Sequence, residues 1–202
     1  MGKKKRTRQN NKVFIAREGD REEIFLEYLQ ELFDENKTIK LEFPFDKGGN
    51  SNKILDRALK NNFYPKVYAW FDEDGELDME HKQILEERWN INFSKNVKDC
   101  ELQSYNKKMR NPIVIVSTPM SIEGIIIRLF NHNIPSLIEP ITSEKDFEEN
   151  KKRMKSSVKG FIGNCSDIEY YRRNLTKELI MEKANEINEL KLLLTIFNIN
   201  IK

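Results

Sequence analysis

Apolar positions in this chain alternate between short unbroken runs and longer stretches spaced at helical intervals. Val13 to Ala16 is apolar throughout, as in a strand buried on both faces. Asp20 to Phe33 follows with Ile24, Phe25, Tyr28, Leu29, Leu32 and Phe33 at helical spacing. Ile39 to Phe45 predicts a second strand, ended by Pro44 and the turn-forming Asp46-Lys47-Gly48-Gly49-Asn50. Ser51 then reads as the N-cap of a helix through Ile54, Leu55, Ala58 and Leu59. Val67 to Phe71 lacks alternation and predicts a central parallel strand, and a charged helix follows near Glu80 to Trp89. Pro112 opens a fourth strand, Ile113 to Val116, and Ile122 to Phe130 reads as an apolar helix.

Strands alternating with helices of this length predict an α/β fold, a parallel sheet flanked by helices. The pattern changes after Phe130. Pro135 and Pro140 interrupt the chain, Lys151, Lys152, Arg153, Lys155 and Lys159 form a basic run, and Asp167 to Phe197 is helical. In that last stretch Ile168, Tyr171, Leu175, Leu179, Ala184, Ile187, Leu190 and Leu194 lie near one face, which packs on the sheet domain or on a second subunit. A length of 202 residues with 38% hydrophobic content suits one main domain and an appendage. The expected organisation is a basic flexible arm over 1–12, a sheet domain over 13–134 and a helical C-terminal extension over 135–202.

Charge and cysteine usage narrow the chemistry. Charged residues make up 34% of the chain and nearly cancel, so any nucleic-acid binding must come from local charge. The arm supplies some, with Lys3, Lys4, Lys5, Arg6, Arg8 and Lys12 and no acid. Cys100 and Cys165 fit neither a zinc site nor a disulfide framework, and His81 and His132 lack partners at ligand spacing. No apolar stretch approaches a membrane span and the basic start lacks a signal peptide's apolar core, so a cytoplasmic protein without membrane contact is expected.

Acidic residues stand at or just after the ends of the strand-like runs: Glu18 after the first, Asp72 and Asp74 at the third, and Glu123 shortly after the fourth. Ligands of open parallel sheets bind outside the carboxyl ends of the strands. Carboxylates gathered there repel one another unless cations neutralise them. Mg²⁺ suits such oxygen ligands, is held by one or two carboxylates plus substrate phosphates, and points to phosphodiester chemistry. The Gly48-Gly49-Asn50-Ser51 turn allows a close backbone approach to phosphate at a helix N-terminus, though a two-glycine turn is more often only a turn.

In order along the chain, these motifs resemble a family. Glu18-Gly19-Asp20-Arg21-Glu22-Glu23 before an aromatic helix looks like the EGxxTE start of RloB-like Toprim proteins, relatives of the OLD-family nucleases. Asp72-Glu73-Asp74 matches the family's strand ending in DxD, and Ser117, Pro119 and Glu123 match its Ser, proline and helix-opening Glu. Val158-Lys159-Gly160 looks like the lysine-containing element that follows. Glu22 stands where the family pattern has Thr or a small residue, leaving open whether Glu22 or Glu23 faces the site.

The resemblance implies a Toprim-like fold and a Mg²⁺-dependent nuclease, with Mn²⁺ as a substitute, cutting RNA such as transfer RNA or DNA in bacterial or phage defence. It places Glu18, Asp72 and Asp74 at the catalytic core, with Glu23 and Glu123 completing one or two metal positions and Lys159 stabilising charge on the phosphate. Two metals about 4 Å apart would use the surplus of carboxylates. Lys151, Lys152, Arg153 and Lys155 are the expected nucleic-acid contacts, and an activating protein partner and self-association both stay open. The other reading is a non-catalytic nucleic-acid-binding or regulatory Toprim module. On that reading the strand-end acids are caps and turn residues, common on any parallel sheet.

Overall fold

The computed structural model describes residues 11–46, 48–73, 91–92, 103–104, 112–117, 121–130, 143–162 and 167–201, and only the backbone of 91–92, 103–104, 144, 161 and 162. Outside the described residues lie most of the basic arm, the helix expected near Glu80 to Trp89, Asp74, Pro119, Pro135, Pro140, both cysteines and both histidines.

Six strands and seven helices are formed among the described residues. The strands are β1 (Lys12–Arg17), β2 (Lys40–Glu42), β3 (Lys66–Asp72), β4 (Ile91–Asn92), β5 (Gln103–Ser104) and β6 (Ile113–Ser117). The helices are α1 (Asp20–Phe33), α2 (Ser51–Lys60), α3 (Ile122–Leu129), α4 (Glu144–Ile162), α5 (Ile168–Asn174), α6 (Lys177–Lys183) and α7 (Asn188–Ile196). The main sheet is four-stranded and all-parallel, in the order β2-β1-β3-β6, while β4 and β5 form a separate antiparallel pair. This is the α/β class expected, consistent with a Toprim-like fold followed by a helical C-terminal region.

The chain divides into two compact units that do not follow chain order. The first holds β1, β2, α2, β4, β5, β3 through Phe71 and β6 through Val116. In β1 the side chains alternate between sheet faces, so Phe14 and Ala16 join Val67, Ala69 and Phe71 of β3 in one cluster with Ile54, Leu55, Ala58 and Leu59 of α2. Val13 to Arg17 and Val67 to Asp72 are buried without alternation, as central parallel strands are. Arg17 pairs with Trp70 across the β1–β3 ladder, and the strand order reverses between these two strands.

Two sequence-based expectations change in this unit. The second strand is shorter than Ile39 to Phe45, because its ladder with β1 runs only from Lys40 to Glu42 and Pro44 has no N–H to continue it. The N-cap of α2 is Asn50, not Ser51: Asn50 is extended, its Oδ1 accepts the Lys53 N–H, and Ser51 becomes the first helical residue.

The second unit holds α1, Asp72, Ser117 and α3 to α7. The C-terminal extension packs with α1 and α3, which chain order had grouped with the sheet. Tyr171 of α5 meets Phe25 and Tyr28 of α1 at 5.4 and 5.6 Å between ring centroids. The Tyr28 hydroxyl donates to the Leu175 carbonyl at 2.5 Å, and Arg128 of α3 pairs with Glu189 of α7 at 2.8 Å. The helical stretch expected from Asp167 to Phe197 is three helices, because Asp167 and Thr176 cap new starts and Leu175 is extended. After that break Ile180, in place of Leu179, takes the buried position.

Candidate functional site

The second unit brings two of the expected acids to one helix start. Asp72, the last residue of β3, is buried, and its Oδ1 accepts the N–H of Ile122, the first residue of α3, at 3.2 Å. The next residue, Glu123, is 1% exposed, and its Oε2 accepts a hydrogen bond from the Ser121 hydroxyl at 2.7 Å. Ser121 is the N-cap of α3 by position, but its side chain is turned to Glu123 and makes no cap bond. Negative charge in the first turn of a helix is favoured by the exposed amides there.

Each acid also meets a cation. Lys151 of α4 places its Nζ 3.5 Å from Asp72 Oδ2, with both side chains 10% exposed. Arg21 of α1 forms an ion pair with Glu123 Oε1. Burying a carboxylate in this way is tolerable only with such compensation. Among the described residues no three Asp, Glu, His or Cys side chains gather into a metal-holding group. Mg²⁺ takes one or two carboxylates when substrate phosphates complete its shell, and Asp72 and Glu123 match that number and oxygen chemistry.

Glu18 follows β1 directly and belongs to the sheet unit. On α1, Glu22 is buried and Glu23 is half-buried. Asp74 and Pro119 lie outside the described residues, and Ser117 ends β6 fully buried. Lys159 is exposed near the end of α4.

The basic run does not act as one surface. Lys151 shares the buried face of α4 with Met154 and Val158, whereas Lys152, Arg153, Lys155 and Lys159 are exposed. Lys152, Lys155 and Lys159 follow one another at spacings of three and four residues, which aligns them along one side of the helix. The same periodicity, read from Lys151 through Met154 to Val158, was the available sign that Lys151 faces inward. Arg21 and Ser121 carried no such sign, because their role depends on Glu123 reaching them. No protein-family model, characterised protein or solved structure matches the chain.

Proposed function

We propose that the chain is a Mg²⁺-dependent Toprim nuclease of the RloB-like kind, hydrolysing phosphodiester bonds in RNA such as transfer RNA, or in DNA, as part of bacterial or phage defence. One observation carries the reading: a buried strand-end carboxylate, Asp72, has the ammonium of Lys151 beside it and the start of α3, with buried Glu123, above its other oxygen. Glu18, Asp74 and Glu23 complete the proposed acid set from their motif positions.

Mg²⁺, when bound, would neutralise the carboxylates and stabilise charge on the phosphate and on the attacking water. Asp72 and Glu123 would hold it, with their carboxylates oriented by the Ile122 amide and the Ser121 hydroxyl. Lys151, with its Nζ 3.5 Å from Asp72 Oδ2, would supply a positive charge for the scissile phosphate. It takes the part first expected of Lys159, which with Lys152 and Lys155 forms a basic stripe for phosphates further along the strand.

Labelled transfer RNA, single-stranded RNA and duplex DNA, each incubated with Mg²⁺, Mn²⁺ or EDTA, test the reading. Metal-dependent cleavage of at least one substrate, lost in Asp72→Asn, is expected. Cleavage that survives Asp72→Asn overturns the site. A second reading, a non-catalytic nucleic-acid-binding module, is favoured by the way the fold already uses both oxygens of Asp72. It gains if no substrate is cut while binding persists.

A further inference from the structure

The first turn of α2 buries polar groups that no described residue satisfies. Ser51 is 0% and Asn52 3% exposed, and Ser51 Oγ, Asn52 Nδ2 and Asn52 Oδ1 have no hydrogen-bond partner among the described residues. Buried polar groups of this kind are rare and costly. Every Cα–Cβ bond of a helix tilts towards its N-terminus, so on a first turn both side chains leave the backbone towards the helix start. The amides of Ser51 and Asn52 also lie there, donors that a helix cannot satisfy from within.

The preceding turn is shaped for a close approach. Gly48 and Gly49 have φ of 73° and 115°, a conformation that L side chains rarely adopt. Gly49 and Asn50 are exposed and leave the turn open to solvent. Arg57 Nη1 donates to the Gly48 carbonyl at 2.6 Å, which holds a guanidinium at the turn, and Lys53 lies against Gly49. The carbonyl oxygen of Glu18 lies 4.0 Å from where a Gly48 Cβ would stand. Hydroxyl, carboxamide and amide donors, a helix N-terminus and two cations make a combination suited to an anion with several oxygens.

The geometry points to a phosphate-binding site at the N-terminus of α2, with Ser51, Asn52 and the Gly48–Gly49 turn as its donors and Arg57 and Lys53 as its counter-charge. The ligand is a phosphate group, either the diester of a nucleic-acid strand or free phosphate. Phe45, 99% exposed just before the turn, offers a ring on which a base of a strand can stack. Phosphate binding here does not require that the chain cleave nucleic acid.

Thermal unfolding of the full chain, at fixed ionic strength, with inorganic phosphate or with an oligothymidylate lacking terminal phosphates, tests the site. The melting temperature of the wild type should rise with at least one of them. In Ser51→Ala/Asn52→Leu the apparent affinity should fall about tenfold or more, the loss of one hydrogen bond to a charged group. The same variant should melt no lower than wild type in phosphate-free buffer, because it removes groups that have no partner among the described residues.

A wild type insensitive to both ligands, an unchanged ligand effect in the variant, or a variant less stable without phosphate overturns the proposal. If the double variant does not fold, amide chemical shifts of the wild type decide: Ser51 and Asn52 move on phosphate addition, or the site is wrong. A rise with oligothymidylate that weakens in Phe45→Ala identifies a strand as the source; a rise with inorganic phosphate alone identifies free phosphate. Asp72→Asn separates this site from the nuclease reading, since it should abolish cleavage and keep the phosphate response.

Discussion

The two units differ in how they treat the polar groups they bury. In the helical unit each buried acid at the α3 start faces a cation, Asp72 facing Lys151 and Glu123 facing Arg21, although Glu123 Oε1 accepts no hydrogen bond among the described residues. In the sheet unit the first turn of α2 buries a hydroxyl and a carboxamide with no partner among the described residues. A fold that tolerates unsatisfied groups in one place, while compensating charges in another, spends stability where a ligand can recover it. Burial of a polar residue alone is therefore a poor guide to function, and the state of its partners is the better one.

The strongest way to break this contrast is to remove one side of a compensated pair. Asp72→Ala removes the acid beside buried Lys151 and the acceptor of the Ile122 amide, and should cost about 3–5 kcal/mol in urea unfolding. Adding Lys151→Met should recover much of that loss, and a double-mutant cycle with no coupling would refute the pair. Tyr28→Phe, which removes a neutral but satisfied buried donor, should cost about 1–3 kcal/mol by leaving the Leu175 carbonyl unpaired.

Tyr28 also gives the contrast a pH signature. Burial, aided by the charge of Glu31, pushes its phenol from 10.0 up to about 12. A raised folded value means that its contribution is complete below 10.0 and is lost as pH climbs towards about 12. Melting curves of wild type should fall over that window more steeply than those of Tyr28→Phe; parallel curves would contradict the assignment.

Smaller and opposite in sign, Ser51→Ala/Asn52→Leu should gain about 1 kcal/mol without ligand, because it removes unsatisfied groups. Arg172→Ala should have the smallest effect, since its pairing with Glu31 is solvent-exposed and screened by salt. A loss there as large as that from Asp72→Ala would mean that burial does not set the scale.

Much of the fold was legible because hydrophobic period is a local property. The bounds Asp20 and Phe33 of α1 follow from the spacing of its apolar residues, and the unbroken run at Val67 announces a strand buried on both sides. Local patterns were less decisive at the ends of elements. Asn50 and Ser51 are near-equal capping residues, so the cap of α2 turned on which of them the core would bury. The tail reads as one amphipathic pattern, yet the caps at Asp167 and Thr176 break it, because a local hydrogen bond competes with helix continuation.

By itself the sequence determined the alternation of strands and helices, the α/β class and the stationing of acids at strand ends, since each depends on residues within a few positions of one another. Only the tertiary structure decided that α1 and α3 join the C-terminal helices, that Lys151 and Arg21 face Asp72 and Glu123, and that Ser51 and Asn52 are enclosed without side-chain partners among the described residues. Those outcomes depend on which distant segments meet, and the energy of a buried charge or an unmade hydrogen bond is fixed by its surroundings and not by its neighbours in the chain.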